Sequence, residues 1–199
     1  VSADPRGGDG AGRLVAVVGP SGAGKDTLIA AAARHFAGDL DVRFARRIVT
    51  RPADRTAEDH DTLDEAGFEN ADRSGAFCLT WIAHGLRYGL PCSVETEMDE
   101  GHVVVANLSR RALPMALARF RRVDIVEVTA RPDILLQRIL ARGRESAEVA
   151  ATRLARQVPL DYPASLRIDN SGDLDAAMSH FAAFIERVRA DGRRASANG

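Results

Sequence analysis

Apolar positions along this chain come in short continuous runs separated by longer amphipathic segments. Residues 14–18 (Leu-Val-Ala-Val-Val) form an unbroken apolar run, the pattern of a strand covered on both faces. Residues 27–36 are alanine-rich and predict a helix that ends near Gly38. Residues 46–50 predict a strand stopped by Pro52. The stretch 53–75 is polar and poorly periodic, with a short helix predicted around 63–71. Strands are predicted at 77–82, 102–106, 123–128 and 166–168, and 84–89 is predicted as a glycine-bounded turn. Helices are predicted at 94–100, closed by Gly101, at 110–119, started or interrupted by Pro114, and at 132–141, 147–158 and 174–189, with a frayed tail over 192–199. Strands that alternate with helices of this length give an α/β fold: a mostly parallel sheet with helices on both faces. The polar region at about 52–100 breaks the alternation and is expected to form a small insert beside the sheet. The glycine- and aspartate-rich residues 1–12 are expected to be disordered, which leaves 13–191 as one domain.

Composition narrows the function classes. The chain has 199 residues and a formal net charge of -1, without the basic excess of a nucleic-acid binder. Its two cysteines, Cys78 and Cys92, make neither a disulfide framework nor a four-cysteine zinc site. No apolar run is long enough to span a bilayer, and the first residues lack the apolar core of a signal peptide. Cytoplasmic location is therefore expected, with no nucleic-acid or membrane partner. One asymmetry stands out: Lys and Arg together number 27, and the only lysine is Lys25.

Lys25 lies in the sharpest motif of the chain. Gly19, Pro20, Ser21, Gly22, Ala23, Gly24, Lys25, Asp26 and Thr27 follow a predicted strand and open a predicted helix, the context a phosphate-binding loop requires. The glycines let successive backbone N–H groups turn inward, and the helix N-terminus adds positive potential at the same place. Lys25 is expected to reach the β- and γ-phosphates of a nucleotide. The residue after this lysine is usually Ser or Thr and holds Mg2+. Here it is Asp26, with the hydroxyl displaced by one position to Thr27, and both are candidate metal ligands. A carboxylate beside phosphates makes electrostatic sense with a divalent cation present. No apolar strand ends in an aspartate of the usual metal-binding kind, because residues 102–106 run into Asn107. The size of the chain suits a small phosphotransferase.

Phosphoryl transfer needs positive charge around the migrating group. Arg46, Arg47 and Arg51 sit at the end of a predicted strand, where α/β sheets place ligands, and Arg51 is the leading candidate to clamp an acceptor phosphate. His60 and Tyr88 are candidate substrate contacts from the polar region, and Glu97 is a weaker one on a charged helix face. Arg138 and Arg142 share one helix face, with Gly143 and Arg144 beyond them. Together they suit a lid at about 142–150 that brings Arg142 and Arg144 over the phosphates and excludes water.

The chain resembles the guanylate-kinase-like P-loop kinases over nearly its full length, and more closely the ribose 1,5-bisphosphate phosphokinases of bacterial phosphonate degradation. The resemblance rests on Gly-Pro-Ser-Gly-Ala-Gly-Lys-Asp-Thr at 19–27, Thr-Arg-Pro-Ala-Asp at 50–54, His-Gly-Leu-Arg-Tyr-Gly at 84–89, Arg-Gly-Arg-Glu at 142–145 and Asp-Asn-Ser-Gly at 169–172. It makes Asp26 a family marker. Guanylate kinases carry a second arginine where this chain has Asp54, a tyrosine absent from 58–63, and a guanine-reading glutamate where Thr80 precedes Trp81. The guanine-reading residues are thus largely missing while the phosphate-binding ones remain. The resemblance implies a P-loop NTPase fold with an acceptor insert and a lid. It also implies ATP and Mg2+ as cosubstrate and metal, and a phosphorylated sugar as substrate. The expected reaction converts ribose 1,5-bisphosphate to 5-phosphoribosyl 1-diphosphate. Asn170 and Ser171 are expected to flank adenine, near Arg138. A guanylate or other nucleoside monophosphate kinase and a non-catalytic interaction module are the alternatives, and a homodimer is compatible with all three.

Overall fold

A computed structural model describes residues 12–50, 60–83, 85–141, 152 and 160–197. The predicted disordered segment 1–12 (apart from Gly12), the lid at about 142–150 and nearly all of the predicted helix 147–158 lie outside these residues. Among the described residues, nine strands form two sheets. The larger sheet contains β1 (Arg13–Val18), β2 (Val42–Ala45), β7 (Val103–Asn107), β8 (Val123–Thr129) and β9 (Leu166–Asp169). Its order is β2-β7-β1-β8-β9, and every pairing in it is parallel. β1 from Leu14 onward and β7 as far as Ala106 are apolar because both faces are covered, as expected for strands in a sheet flanked by two layers.

The two faces have separate cores. On one, Val15, Val17, Val105 and Val126 pack against α1 (Lys25–His35), α5 (Pro132–Ala141) and α6 (Leu174–Ala197). Phe181 and Ile185 of α6 are fully buried there and lie four residues apart on one helix face. On the other, Leu14, Ala16, Val18 and Val104 meet Val94 and Met98 of α3 (Ser93–Asp99) and Leu113 and Ala116 of α4 (Leu113–Arg119). A single 3-10 turn, Arg110–Ala112, precedes α4, so Pro114 stands in the first turn of the α-helix, where its missing N–H costs nothing. The parallel sheet with helices on both faces matches the sequence expectation.

The second sheet has the order β4-β3-β6-β5, formed by β3 (Arg47–Val49), β4 (His60–Thr62), β5 (Phe77–Ala83) and β6 (Leu86–Pro91). It is flanked in sequence by α2 (Glu65–Arg73), whose N-cap Asp64 accepts from the Gly67 N–H at 2.7 Å. Two expectations need correction here. The strand predicted at 46–50 is the shorter β3, and the separate strand β2 just before it was not predicted, with Arg46 at the break where the chain leaves one sheet for the other. The turn predicted over 84–89 is mostly strand: Ala83 already pairs with Leu86, and Gly85 takes the tight bend at φ 74. A third difference lies at the C-terminus, where α6 continues to Ala197 instead of fraying from 192. Arg189 and, on that extension, Arg193 pair with Asp39 and Asp41 ahead of β2.

Candidate active site

The site grows from the carboxyl end of β1. Beyond Val18 the chain turns sharply through Gly19 and Gly22 and re-enters helical geometry at Gly24, the N-cap of α1, with φ 83. L-residues avoid that conformation. A Cβ on Gly24 would also lie 2.4 Å from the side-chain nitrogen of Asn170. The loop is held from beneath: the buried Asn170 donates through Nδ2 to Ala23 O at 2.8 Å. Arg138, from α5, reaches Gly22 O with Nη1 at 3.5 Å. Two residues distant in sequence, both candidates for the nucleotide side, thus converge on the loop. Ser171 lies beside them, where its hydroxyl accepts from the Arg131 N–H at 2.7 Å.

Lys25 folds back across the loop, with Nζ donating to Gly19 O at 2.9 Å and Pro20 O at 3.0 Å. That posture holds the ammonium against the backbone of the loop, where a compact charge fits and a planar guanidinium would not. Asp26 stands in the first turn of α1, where a carboxylate complements the helix dipole. Its Oδ1 accepts from Asn107 Nδ2 at 2.5 Å and faces Arg47 Nη2 at 3.5 Å. Thr27 is exposed on the same turn.

Asn107 ends β7, beside β1 in register with Val17. It is buried, and among the described residues its Oδ1 has no hydrogen-bond partner. Turning the amide over would set two oxygens against each other, so Asp26 fixes its orientation. Sequence reading noted Asn107 only as a missing aspartate. Its role as partner to Asp26 had no local signal, because the two lie 81 positions apart. The loop after β7 also supplies Arg110, whose Nη2 donates to the buried Glu127 at 3.1 Å. Arg167 Nε pairs with the other oxygen of Glu127, also at 3.1 Å.

The residues present fit a magnesium–nucleotide complex. The described residues contain no group of three His, Cys, Asp or Glu side chains placed to hold a metal. Mg2+ is commonly held by one or two carboxylates together with substrate phosphates and water. Asp26 supplies such a carboxylate beside the phosphate loop, and the buried Asn107 orients it.

On the small sheet, Tyr88 of β6 stacks on Trp81 of β5, with ring centroids 5.4 Å apart and planes 9° from parallel. The Arg47 guanidinium lies 5.3 Å above the Tyr88 ring. Of the three strand-end arginines, Arg47 is therefore the one the described residues bring to the loop. Arg46 instead pairs with Asp61 at 3.2 Å in an exposed contact. Arg51 lies outside the described residues, as do Arg142 and Arg144. His60 is placed by its backbone in β4, opposite Arg47. Thr50 anchors this end of the small sheet: its hydroxyl accepts from the Arg87 N–H at 2.9 Å, and its own N–H donates to Arg87 O at 3.1 Å.

Glu97 requires a correction. Its neighbouring charges are Arg43, His102 and Glu100, and burial holds its carboxyl above the usual range. His102 donates its N–H to Glu97 O, and Arg43 is paired with Val104 near the start of β7. Glu97 therefore faces the amino-terminal edge of the parallel sheet, whereas the loop lies at the carboxyl edge. Helix α3 carries it there because its apolar residues Val94 and Met98 pack beneath the sheet.

Comparison with known proteins agrees with this arrangement. No family model matches the chain. The ribose 1,5-bisphosphate phosphokinase PhnN of Rhizobium etli is 45% identical over 193 residues, which is 94% of this chain and 98% of that protein. This chain belongs to the ribose 1,5-bisphosphate phosphokinase family. The Methylobacterium radiotolerans member is 49% identical over 174 residues, 87% of this chain and 97% of its own length. A bifunctional ribose 1,5-bisphosphokinase-thymidine phosphorylase of Cupriavidus necator is 44% identical over 94% of this chain, which covers 30% of that protein. Among solved structures, a guanylate kinase from Anaplasma phagocytophilum superposes with a TM-score of 0.66 at 15% identity, covering 89% of this chain and 86% of its own. That likeness establishes the P-loop α/β fold. No helix among the described residues is long and apolar enough to cross a membrane.

Proposed function

We propose that this kinase transfers the γ-phosphoryl group of ATP to the 1-phosphate of ribose 1,5-bisphosphate, yielding ADP and 5-phosphoribosyl 1-diphosphate. Near-full-length identity to ribose 1,5-bisphosphate phosphokinases carries the choice of acceptor. The loop geometry supports the nucleotide side.

An oxygen of the acceptor 1-phosphate attacks the γ-phosphorus in line, the bond to the β,γ-bridging oxygen breaks, and ADP leaves with that electron pair. The attacking oxygen is already anionic, so no general base is required. The loop amides and Lys25 cradle the β- and γ-phosphates. Asp26 and Thr27 would hold Mg2+, which would neutralise charge on the nucleotide phosphates. Arg138, Asn170 and Ser171 form the nucleotide side, where Asn170 keeps the loop in shape. Arg51, His60 and Tyr88 are assigned to the acceptor. Arg142 and Arg144 of the lid offset charge on the migrating group. Glu97 is left out because it faces the opposite edge of the sheet.

A coupled ADP-release assay with ribose 1,5-bisphosphate and GMP in parallel tests this reading. Turnover with the sugar bisphosphate and little with GMP is expected, and a preference for GMP would overturn it.

A further inference from the structure

Arg47 touches both halves of the site. Its Nη2 lies 3.5 Å from Asp26 Oδ1 on the nucleotide side, and its guanidinium lies over the Tyr88 ring on the acceptor side. Both side chains of the ion pair are largely shielded, at 16% and 18% exposure. Asn107 Nδ2 shares the same Asp26 oxygen and fixes it from the other side. Asp26 is therefore a carboxylate with two claimants: the Arg47 guanidinium beside it and, on the kinase reading, the divalent cation of a bound nucleotide.

We propose that Arg47 is an acceptor-phosphate ligand held in reserve by Asp26, and freed for the acceptor when Asp26 turns to a divalent cation. The inference rests on the kinase reading above. Its physical basis is charge balance. While Asp26 has no cation, Arg47 is its counterion, and an incoming acceptor phosphate must compete with a carboxylate for the same guanidinium. Once Asp26 is engaged elsewhere, Arg47 keeps its place over Tyr88 but loses its anionic partner. Tyr88, stacked on Trp81 and set in β6 against β3, fixes where that guanidinium can go. The acceptor phosphate then meets a preoriented bidentate donor beside the nucleotide. The exchange couples the two substrates without any movement of the sheets. A partly shielded ion pair of this length sets the coupling at about two- to fivefold.

The experiment measures binding, not turnover. Ribose 1,5-bisphosphate is titrated by calorimetry into the full chain, with and without Mg2+ and a non-hydrolysable ATP analogue. The proteins are wild type, Asp26→Asn, Arg47→Gln and the double variant. Asp26→Asn is expected to bind the acceptor about two- to fivefold more tightly than wild type before any nucleotide is added. Adding Mg2+ and the analogue should then give it a smaller gain than wild type shows. Arg47→Gln is expected to weaken acceptor binding in both states, to bind Mg2+ and the analogue somewhat more tightly, and to abolish the effect of Asp26→Asn in the double variant. Emission of Trp81, the single tryptophan, supplies a second readout: adding Mg2+ and the analogue should shift it in wild type and not in Arg47→Gln. Near-UV circular dichroism of the Trp81–Tyr88 stack identifies a variant that has lost its fold, in which case the other single variant decides.

The proposal is overturned if Arg47→Gln binds the acceptor as wild type does, or if Asp26→Asn leaves acceptor affinity in the nucleotide-free protein unchanged. Failure of wild type to bind ribose 1,5-bisphosphate in either state would instead overturn the functional reading, and the proposal with it.

Discussion

Replacing Gly24 by alanine tests whether the phosphate loop is built as described. Two costs add at this position. Gly24 has φ 83, where an L-residue costs about 1–2 kcal/mol. Its new Cβ would also fall 2.4 Å from Asn170 Nδ2. Asn170 is buried and donates to Ala23 O, so it can yield only by giving up that bond. Leaving the Ala23 carbonyl unsatisfied costs about 1–3 kcal/mol more. Gly38 is a matched control, since it has φ 90 and nothing within 4 Å of the Cβ it would acquire. Gly38→Ala should therefore lose about 1–2 kcal/mol. Gly24→Ala should lose about 2–5 kcal/mol, with a fall in Tm of roughly 5–15 °C for a chain of this size. Urea unfolding and thermal denaturation measure both. The loop variant should also bind Mg2+ and ATP about tenfold or more weakly, because the amides at the helix N-terminus shift with it. Gly38→Ala should not change nucleotide affinity. Equal destabilisation of the two variants, or unchanged nucleotide binding by Gly24→Ala, would refute the argument that Asn170 braces the loop.

The site and the small sheet give three further expectations. Lys25→Ala should lower kcat by roughly 10²–10³-fold while changing stability by less than about 1 kcal/mol, as judged by coupled ADP release and urea unfolding. Tyr88→Phe keeps the ring stacked on Trp81 and loses only the hydroxyl. It should reduce kcat/KM for the acceptor by about tenfold or more and leave the KM for ATP unchanged, as initial-rate kinetics with each substrate varied would reveal. Burial, reinforced by the nearby Glu95 carboxylate, pushes the Cys78 thiol up from 9.0 to about 12. The unfolded chain therefore loses this proton first as pH rises, and stability should fall between about pH 9 and pH 12. Cys78→Ala should flatten that part of the pH–stability curve, and Cys78 should resist alkylation in the native protein at pH 8.

How much of this was legible in the sequence depends on how far apart the partners lie. The phosphate loop was readable because its parts are consecutive: an apolar run, three glycines, a lysine and a helix start, all within residues 14–36. The middle of the parallel sheet was readable because β1 and β7 are buried on both faces and need no long-range information to look apolar, whereas the half-buried edge strand β2 was missed. The small sheet was harder. Residues 86–91 carry Arg87, Tyr88 and Gly89, which read as a turn, yet they are strand because β5 pairs with them across one tight bend. Arg87 of this strand is drawn onto α2, over the Phe68 ring at 4.7 Å and beside Glu69 and Asp72. Arg47 was hard to single out. Nothing local distinguishes it from Arg46, because adjacent strand residues point to opposite faces and the pattern alone does not say which face meets the loop. Topology decides between them: β3 lies against β6, and that turns Arg47 toward Tyr88 and Asp26 while Arg46 pairs with Asp61 at the surface. The same reasoning bears on the single lysine. In a chain that otherwise uses arginine throughout, Lys25 sits where the cation must fold back onto Gly19 and Pro20 within one turn of its own helix. Arg47 instead lies over the Tyr88 ring, where a planar guanidinium can stack on an aromatic face and keep its paired donors available, which a compact ammonium could not do.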